Sequence, residues 1–203
     1  NEEFFQRKYV EVDIYKSETN KDTGEVKLSI SKPMDFTNDF MKSFISHRTY
    51  MIENSCSALF TGNNETGKTY SALLILAKMI KYGYSGHYMR FKNYLNLLNS
   101  SYSNNEDKIL LRQIRSVKLL VIDELGKEHG KAEYATTELE ELIKTRQDNL
   151  SSTMLITNLD YTDFIATYGN HVKSAFNKNF KVLIFHPDAG FRKKTRISWP
   201  KVK

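Results

Sequence analysis

Gly62-Asn63-Asn64-Glu65-Thr66-Gly67-Lys68-Thr69 is the stretch on which the fold turns. It fits G-x-x-x-x-G-K-[ST], the pattern of a loop that wraps a chain of phosphates. Each residue type has a physical task. Gly62 and Gly67 allow a tight turn, so that the N–H groups of Asn63, Asn64, Glu65 and Thr66 point inward at anionic oxygens. Lys68 adds a positive point charge that reaches the β- and γ-phosphates. The Thr69 hydroxyl suits Mg²⁺. Tyr70 opens the following helix, whose N-terminal dipole faces the phosphates.

The flanks supply the context that such a loop requires. Residues 56–61 are an apolar run of buried-strand type. Residues 70–82 read as an apolar helix through Ala72, Leu73, Leu74, Leu76, Ala77 and Ile80, with Gly83 as its stop. A second motif follows at Leu119-Leu120-Val121-Ile122-Asp123-Glu124. Four apolar residues and then two acids make a buried strand that delivers carboxylates at its C-terminal end, the edge where open α/β sheets bind ligands. Asp123 is placed to hold Mg²⁺ through water. Glu124 is placed to polarise an attacking water as general base. Together the two motifs call for a nucleoside triphosphate with Mg²⁺.

Composition narrows the class. The 203 residues suffice for one substantial α/β domain. A single cysteine, Cys56, excludes a disulfide framework and a cysteine-rich metal site. No apolar run reaches the length of a membrane span and no signal peptide is visible, so no membrane partner and a cytoplasmic setting are expected. Lys and Arg exceed Asp and Glu by 30 to 24, and the excess gathers towards the C-terminus around Arg192-Lys193-Lys194. That charge suits a polyanionic partner and equally a solubilising surface.

Residues 9–30 alternate as a β-hairpin around the turn signal Asp22-Thr23-Gly24. Residues 33–54 read as a helical lead-in with Phe36, Phe40, Phe44 and Ile45 inward. Strands at 87–91, 153–158 and 181–185 join the two motif strands. Helices are expected at 92–98, 106–117, 133–147, 161–168 and 171–178. Strands alternating with helices predict a parallel, doubly wound sheet. The expected division is an N-terminal extension over 1–54 and an ATPase domain over 55–203. Two more polar residues follow strands. Asn158 can both donate to and accept from a γ-phosphate or its water, and it is equally suited to capping a turn. Arg192 brings a guanidinium that would sense the γ-phosphate.

The Gly62–Thr69 loop, the 119–126 segment LLVIDELG, Lys144-Thr145-Arg146, the 154–159 segment MLITNL and Phe191-Arg192 resemble the ATPase domain of bacterial and phage helicase loaders. These are AAA+ ATPases of the DnaC/DnaI type, to which the transposition helper IstB is related. The resemblance implies a five-stranded parallel sheet of order 5-1-4-3-2. It implies ATP or ADP with Mg²⁺ bound between Lys68, Thr69 and Asp123, with Glu124 as base, Asn158 as sensor 1 and Arg192 as sensor 2. It implies a DnaB-type replicative helicase and single-stranded DNA as partners, homo-oligomers on either, and a bacterial host cytoplasm for a phage-encoded chain. Tyr102 and Tyr134 fall where such loaders carry aromatics near DNA. A transposition helper, or a non-catalytic module that remodels a partner, are the alternatives.

Two departures stand out. The position that aligns with the family's arginine finger is Ala175, which implies slow hydrolysis and a nucleotide-switch mode. Loaders also dock on the helicase through a separate upstream domain, which residues 9–30 do not resemble. Either that domain has been removed or docking differs.

Overall fold

The computed structural model describes residues 11–19, 26–127, 132–176 and 180–185. The elements run β1 (Glu11–Thr19), β2 (Val26–Asp35), α1 (Phe36–Ser46), α2 (Arg48–Glu53), β3 (Ser57–Gly62), α3 (Lys68–Lys81), β4 (Gly86–Arg90), α4 (Phe91–Ser100), α5 (Asn105–Ser116), β5 (Leu119–Leu125), α6 (Ala132–Asp148), β6 (Ser152–Thr157), α7 (Tyr161–Ala175) and β7 (Phe180–Phe185). Among the described residues the strands form one seven-stranded sheet of order β2-β1-β7-β3-β6-β5-β4.

The five strands from β7 to β4 are parallel, and their order is the expected 5-1-4-3-2. Parallel neighbours need crossovers, which here are made by helices. Helices on both faces bury the central strands, so β3 and β6 are buried at every residue and read as continuous apolar runs. Successive strand residues point to opposite faces, and each face feeds its own core. Leu59, Leu120, Ile122 and Leu155 pack with residues of α4, α5, α6 and α7. Ala58, Phe60, Val121, Met154 and Ile156 pack with residues of α1, α2 and α3. No helix among the described residues is long and apolar enough to cross a membrane.

The hairpin expected near the N-terminus does more than stand alone. β1 pairs antiparallel with β2 and also with β7, with Val12 opposite Phe185. It therefore extends the sheet beyond the parallel five. Its turn signal, residues 22–24, lies outside the described residues, as does Pro187, expected to close β7.

Two expectations change in detail. The helical lead-in begins at Phe36, and Pro33 belongs to β2. Proline biases its predecessor to extended backbone and lacks a ladder donor, and β2 is the outermost strand, where proline is tolerated. The two short helices expected over 161–178 are one run broken at Gly169, whose φ of 73° leaves the helical region. In α3, Ala72 and Leu76 are buried as expected, whereas Leu73 and Ile80 face solvent.

Candidate functional site

Parallel strands deliver their C-terminal residues to one edge, and the candidate site collects there. A cavity of about 320 Å³ is lined by Asn64, Glu65, Thr66, Gly67, Lys68, Thr69 and Tyr70 on one wall. Asp123, Glu124, Lys127 and Asn158 form the other. Asn158, which follows β6, thus joins both motifs as the sequence suggests. Gly62 and Asn63 sit behind the wall, where their carbonyls hold Lys68. Arg192 lies outside the described residues.

The loop is held by close backbone approach. Gly62 has φ 124°, and a Cβ there would lie 2.1 Å from the Phe185 carbonyl oxygen, so no side chain fits without moving β7. The Gly62 N–H donates to the Leu159 carbonyl at 3.3 Å, and the Thr61 hydroxyl donates to the same oxygen. The end of β3 is thereby fixed to the chain that carries Asn158. Gly67, at φ 92°, is the N-cap of α3. Its left-handed backbone turns the chain from loop to helix.

Lys68 is buried. Its Nζ donates to the carbonyls of Gly62 (2.8 Å) and Asn63 (2.5 Å) and to the Thr66 hydroxyl (3.3 Å). Burial lowers its pKa to about 8, against the opposing pull of Asp123, and Lys127 lowers it further. This ammonium is held by neutral oxygens beside an open cavity, so anionic oxygens entering that cavity can take their place.

The two acids face the cavity together because β5 is irregular. Adjacent strand residues normally point to opposite faces. Here the register with β6 slips between Ile122 and Leu125, so that two β5 residues stand against one on β6. Glu124 takes up the slip with φ 61°, a left-handed backbone that costs a non-glycine residue about 1–2 kcal/mol. The Glu124 N–H donates to Asp123 Oδ1 at 2.6 Å. Asp123 Oδ2 accepts from Thr69 Oγ1 at 2.9 Å and from the Tyr88 hydroxyl at 3.0 Å. Thr69 and Asp123 thus offer two adjacent oxygens. Among the described residues no group of three or more His, Cys, Asp or Glu could hold a metal. Two protein oxygens with water and phosphate fit Mg²⁺, which keeps much of its hydration.

Three residues of this neighbourhood escape a motif search. Tyr88 points from β4 at Asp123, and burial together with the Asp123 charge pushes its phenol up to about 12, so it remains a donor. Arg90 pairs with Glu124 Oε2 at 3.4 Å, and Lys127 with Glu124 Oε1 at 3.6 Å. Arg90 stands opposite Asp123 in the β4–β5 register. Its place at a parallel strand end was the available signal. Lys127 lies one turn beyond Glu124, with its N–H on the Glu124 carbonyl.

The remaining sequence candidates lie away from the cavity. Tyr102 is 77% exposed at the turn between α4 and α5. Tyr134, near the start of α6, donates its hydroxyl to Asn99 Oδ1 at 2.9 Å and packs on the adjoining core. Ala175 is buried at the end of α7, and its carbonyl accepts from Gln147 Nε2.

Sheet order, glycine loop and paired acids define a P-loop ATPase of AAA+ architecture. A model of the IstB-like ATP binding protein family matches residues 35–176. The chain belongs to that family. The replicative helicase loader DnaC of Buchnera aphidicola (subsp. Acyrthosiphon pisum) is 28% identical over 123 residues, 59% of this chain and 50% of that protein. The chain therefore spans about half the length of the curated relatives it matches. Among solved structures, a DnaC helicase loader superposes with TM-score 0.62 at 22% identity, over 72% of this chain and 86% of the other. A replication initiator DnaA bound to AMPPCP and single-stranded DNA gives TM-score 0.60 at 16% identity, over 73% and 44%. At those identities the two structures speak for the fold.

Proposed function

We propose that this chain is the ATPase part of a helicase loader, which binds ATP with Mg²⁺ and uses the bound nucleotide as a switch. The observation that carries the reading is the convergence of Lys68, Thr69, Asp123, Glu124 and Asn158 on one cavity, in a chain similar to DnaC. Loop amides from Asn63 to Thr66 and the Lys68 ammonium hold the phosphates, with Tyr70 at their flank. Thr69 and Asp123 hold Mg²⁺, which neutralises charge on the phosphate oxygens. Glu124 orients the attacking water and accepts its proton. Asn158 reports the γ-phosphate, and Arg192 adds a cation from the C-terminal segment.

The partners follow from the same likeness: single-stranded DNA and a DnaB-type helicase ring in the cytoplasm of a bacterium, with a phage origin in keeping with a host-directed loader. Tyr102 is exposed enough to stack on a base, which contributes roughly 1–3 kcal/mol without sequence preference. Tyr134 supports that region through Asn99. Hydrolysis is slow. A finger arginine accelerates other triphosphatases about 10³–10⁵-fold, and Ala175 has no charge to offer. The transposition-helper reading is favoured by the family match alone.

The test is titration of labelled single-stranded DNA with and without ATP·Mg²⁺ across a salt series, alongside capture on a DnaB-type ring. Nucleotide-dependent binding that weakens with salt, and retention on the ring, are expected. Salt-independent, negligible binding would remove the DNA role. Retention on a transposase alone would select the second reading.

A further inference from the structure

Glu124 stands between two cations on different sides. Arg90 approaches Oε2 and belongs to a separate groove along β4, lined with His87, Asn93 and Leu110. Lys127 approaches Oε1 and lines the phosphate cavity itself. Of this pair, only Lys127 lines the cavity in which a ligand would sit.

Charge in the cavity gives Lys127 something to do. Its lining holds three acids, Glu65, Asp123 and Glu124, against two lysines, Lys68 and Lys127. A terminal phosphate entering beside Glu124 meets a carboxylate of the same sign and is repelled by it. Lys127 is more than half exposed and reaches Glu124 through a loose 3.6 Å contact, so it can turn without breaking a tight bond. Its charge is already felt across the cavity, where it opposes the protonation of Lys68.

We propose that Lys127 is a γ-phosphate contact: it leaves Glu124 for the terminal phosphate when a triphosphate binds, and returns to Glu124 when a diphosphate is left. The exchange makes the residue a discriminator between the two nucleotides. It also frees one oxygen of Glu124 for water only while the triphosphate is present. The charge comes from the chain itself, where Ala175 supplies none. The inference rests on the nucleotide reading of the cavity.

The experiment measures the affinities of a non-hydrolysable ATP analogue and of ADP, both with Mg²⁺, for the parent chain, Lys127→Gln and Arg90→Gln. Lys127→Gln should weaken the triphosphate analogue ~10-fold and change ADP by less than about twofold, as loss of one charge-assisted contact predicts. Arg90→Gln should leave the ratio of the two affinities unchanged. The inference is overturned if Lys127→Gln keeps the parental ratio, or weakens both nucleotides equally. A parent chain that binds neither nucleotide would sink the nucleotide reading of the cavity itself, a result distinct from either of those.

Discussion

Among the described residues two cations are buried, Lys68 and Arg146, and they behave as opposites. Lys68 and Arg146 are each held by three neutral oxygens. Lys68 donates to the Gly62 and Asn63 carbonyls and the Thr66 hydroxyl. Arg146 donates to Thr153 Oγ1 (2.9 Å), the Arg115 carbonyl (2.7 Å) and the Ser152 carbonyl (2.6 Å). Burial lowers both pKa values, to about 8 for the lysine and about 10 for the arginine. The difference is access. Arg146 is sealed from solvent where α5, α6 and β6 meet, and its planar fork matches one acceptor on α5 and two on β6. It is a tie. Lys68 borders a cavity, and its acceptors belong to the loop that lines that cavity. It is a grip. Burial of a charge therefore indicates function only when the partners can be exchanged for a ligand.

Four outcomes would sharpen or break this contrast. The largest is expected at the grip: Lys68→Ala should weaken nucleotide ~100-fold or more, the loss of a charge-assisted contact to phosphate and of its screening, while thermal unfolding moves little. Calorimetric titration and a melting curve check it together, and a variant that binds as tightly as the parent would refute the grip. Next, Arg146→Ala should cost about 2–4 kcal/mol of stability, because it leaves a cavity and unpaired carbonyls behind. Urea denaturation reads this, and nucleotide affinity measured well below the new midpoint should be nearly unchanged.

The third outcome concerns pH. Burial lowers the folded pKa of Lys68 to about 8 from its ordinary value of 10.5. Below pH 8 it is an ammonium and holds phosphate at full strength. Above pH 8 a proton must be taken up on binding, so affinity should fall by up to ~10-fold per pH unit until the pKa of Lys68 in the nucleotide complex is reached. The unliganded fold changes the opposite way: the penalty of burying the charge is present below pH 8 and relieved as pH rises from 8 towards 10.5. Affinities from pH 7 to 9.5, with proton uptake measured in buffers of different ionisation heat, decide this. The smallest effect is Arg146→Lys, which keeps the charge and loses the fork. About 1–2 kcal/mol of stability should go with the hydrogen bonds that one ammonium cannot reproduce. Full retention of stability would mean that charge, and not geometry, makes the tie.

Much of the site was legible because its chemistry is local. A glycine loop between an apolar strand and a helix is a continuous piece of chain, and so is an apolar run ending in two acids. Lys68, Thr69, Asp123 and Glu124 could be named from spacing, and all four line one cavity. Asn158 could be placed because it follows a recognisable strand. Tyr88 and Lys127 could not, since nothing near them in sequence marks them, and Arg90 is marked only by its place at a strand end. They matter because β4 lies beside β5 with Arg90 opposite Asp123, and because a turn folds Lys127 back over Glu124. Arg146 stood out only within Lys144-Thr145-Arg146, a family-like helix end, and nothing in the sequence showed the acceptors on α5 and β6 that bury it.

The sequence by itself determined the phosphate loop, the identity of the two acids and the alternation that yields a parallel sheet. Those depend on residue type and short-range spacing, which backbone geometry converts directly into structure. Tertiary structure alone decided that both acids face one cavity, through the slip at Glu124. It decided too that the hairpin joins the sheet at β7, and which cations stand beside the glutamate. Those depend on the register between strands far apart in the chain, where a shift of one residue reverses every side chain.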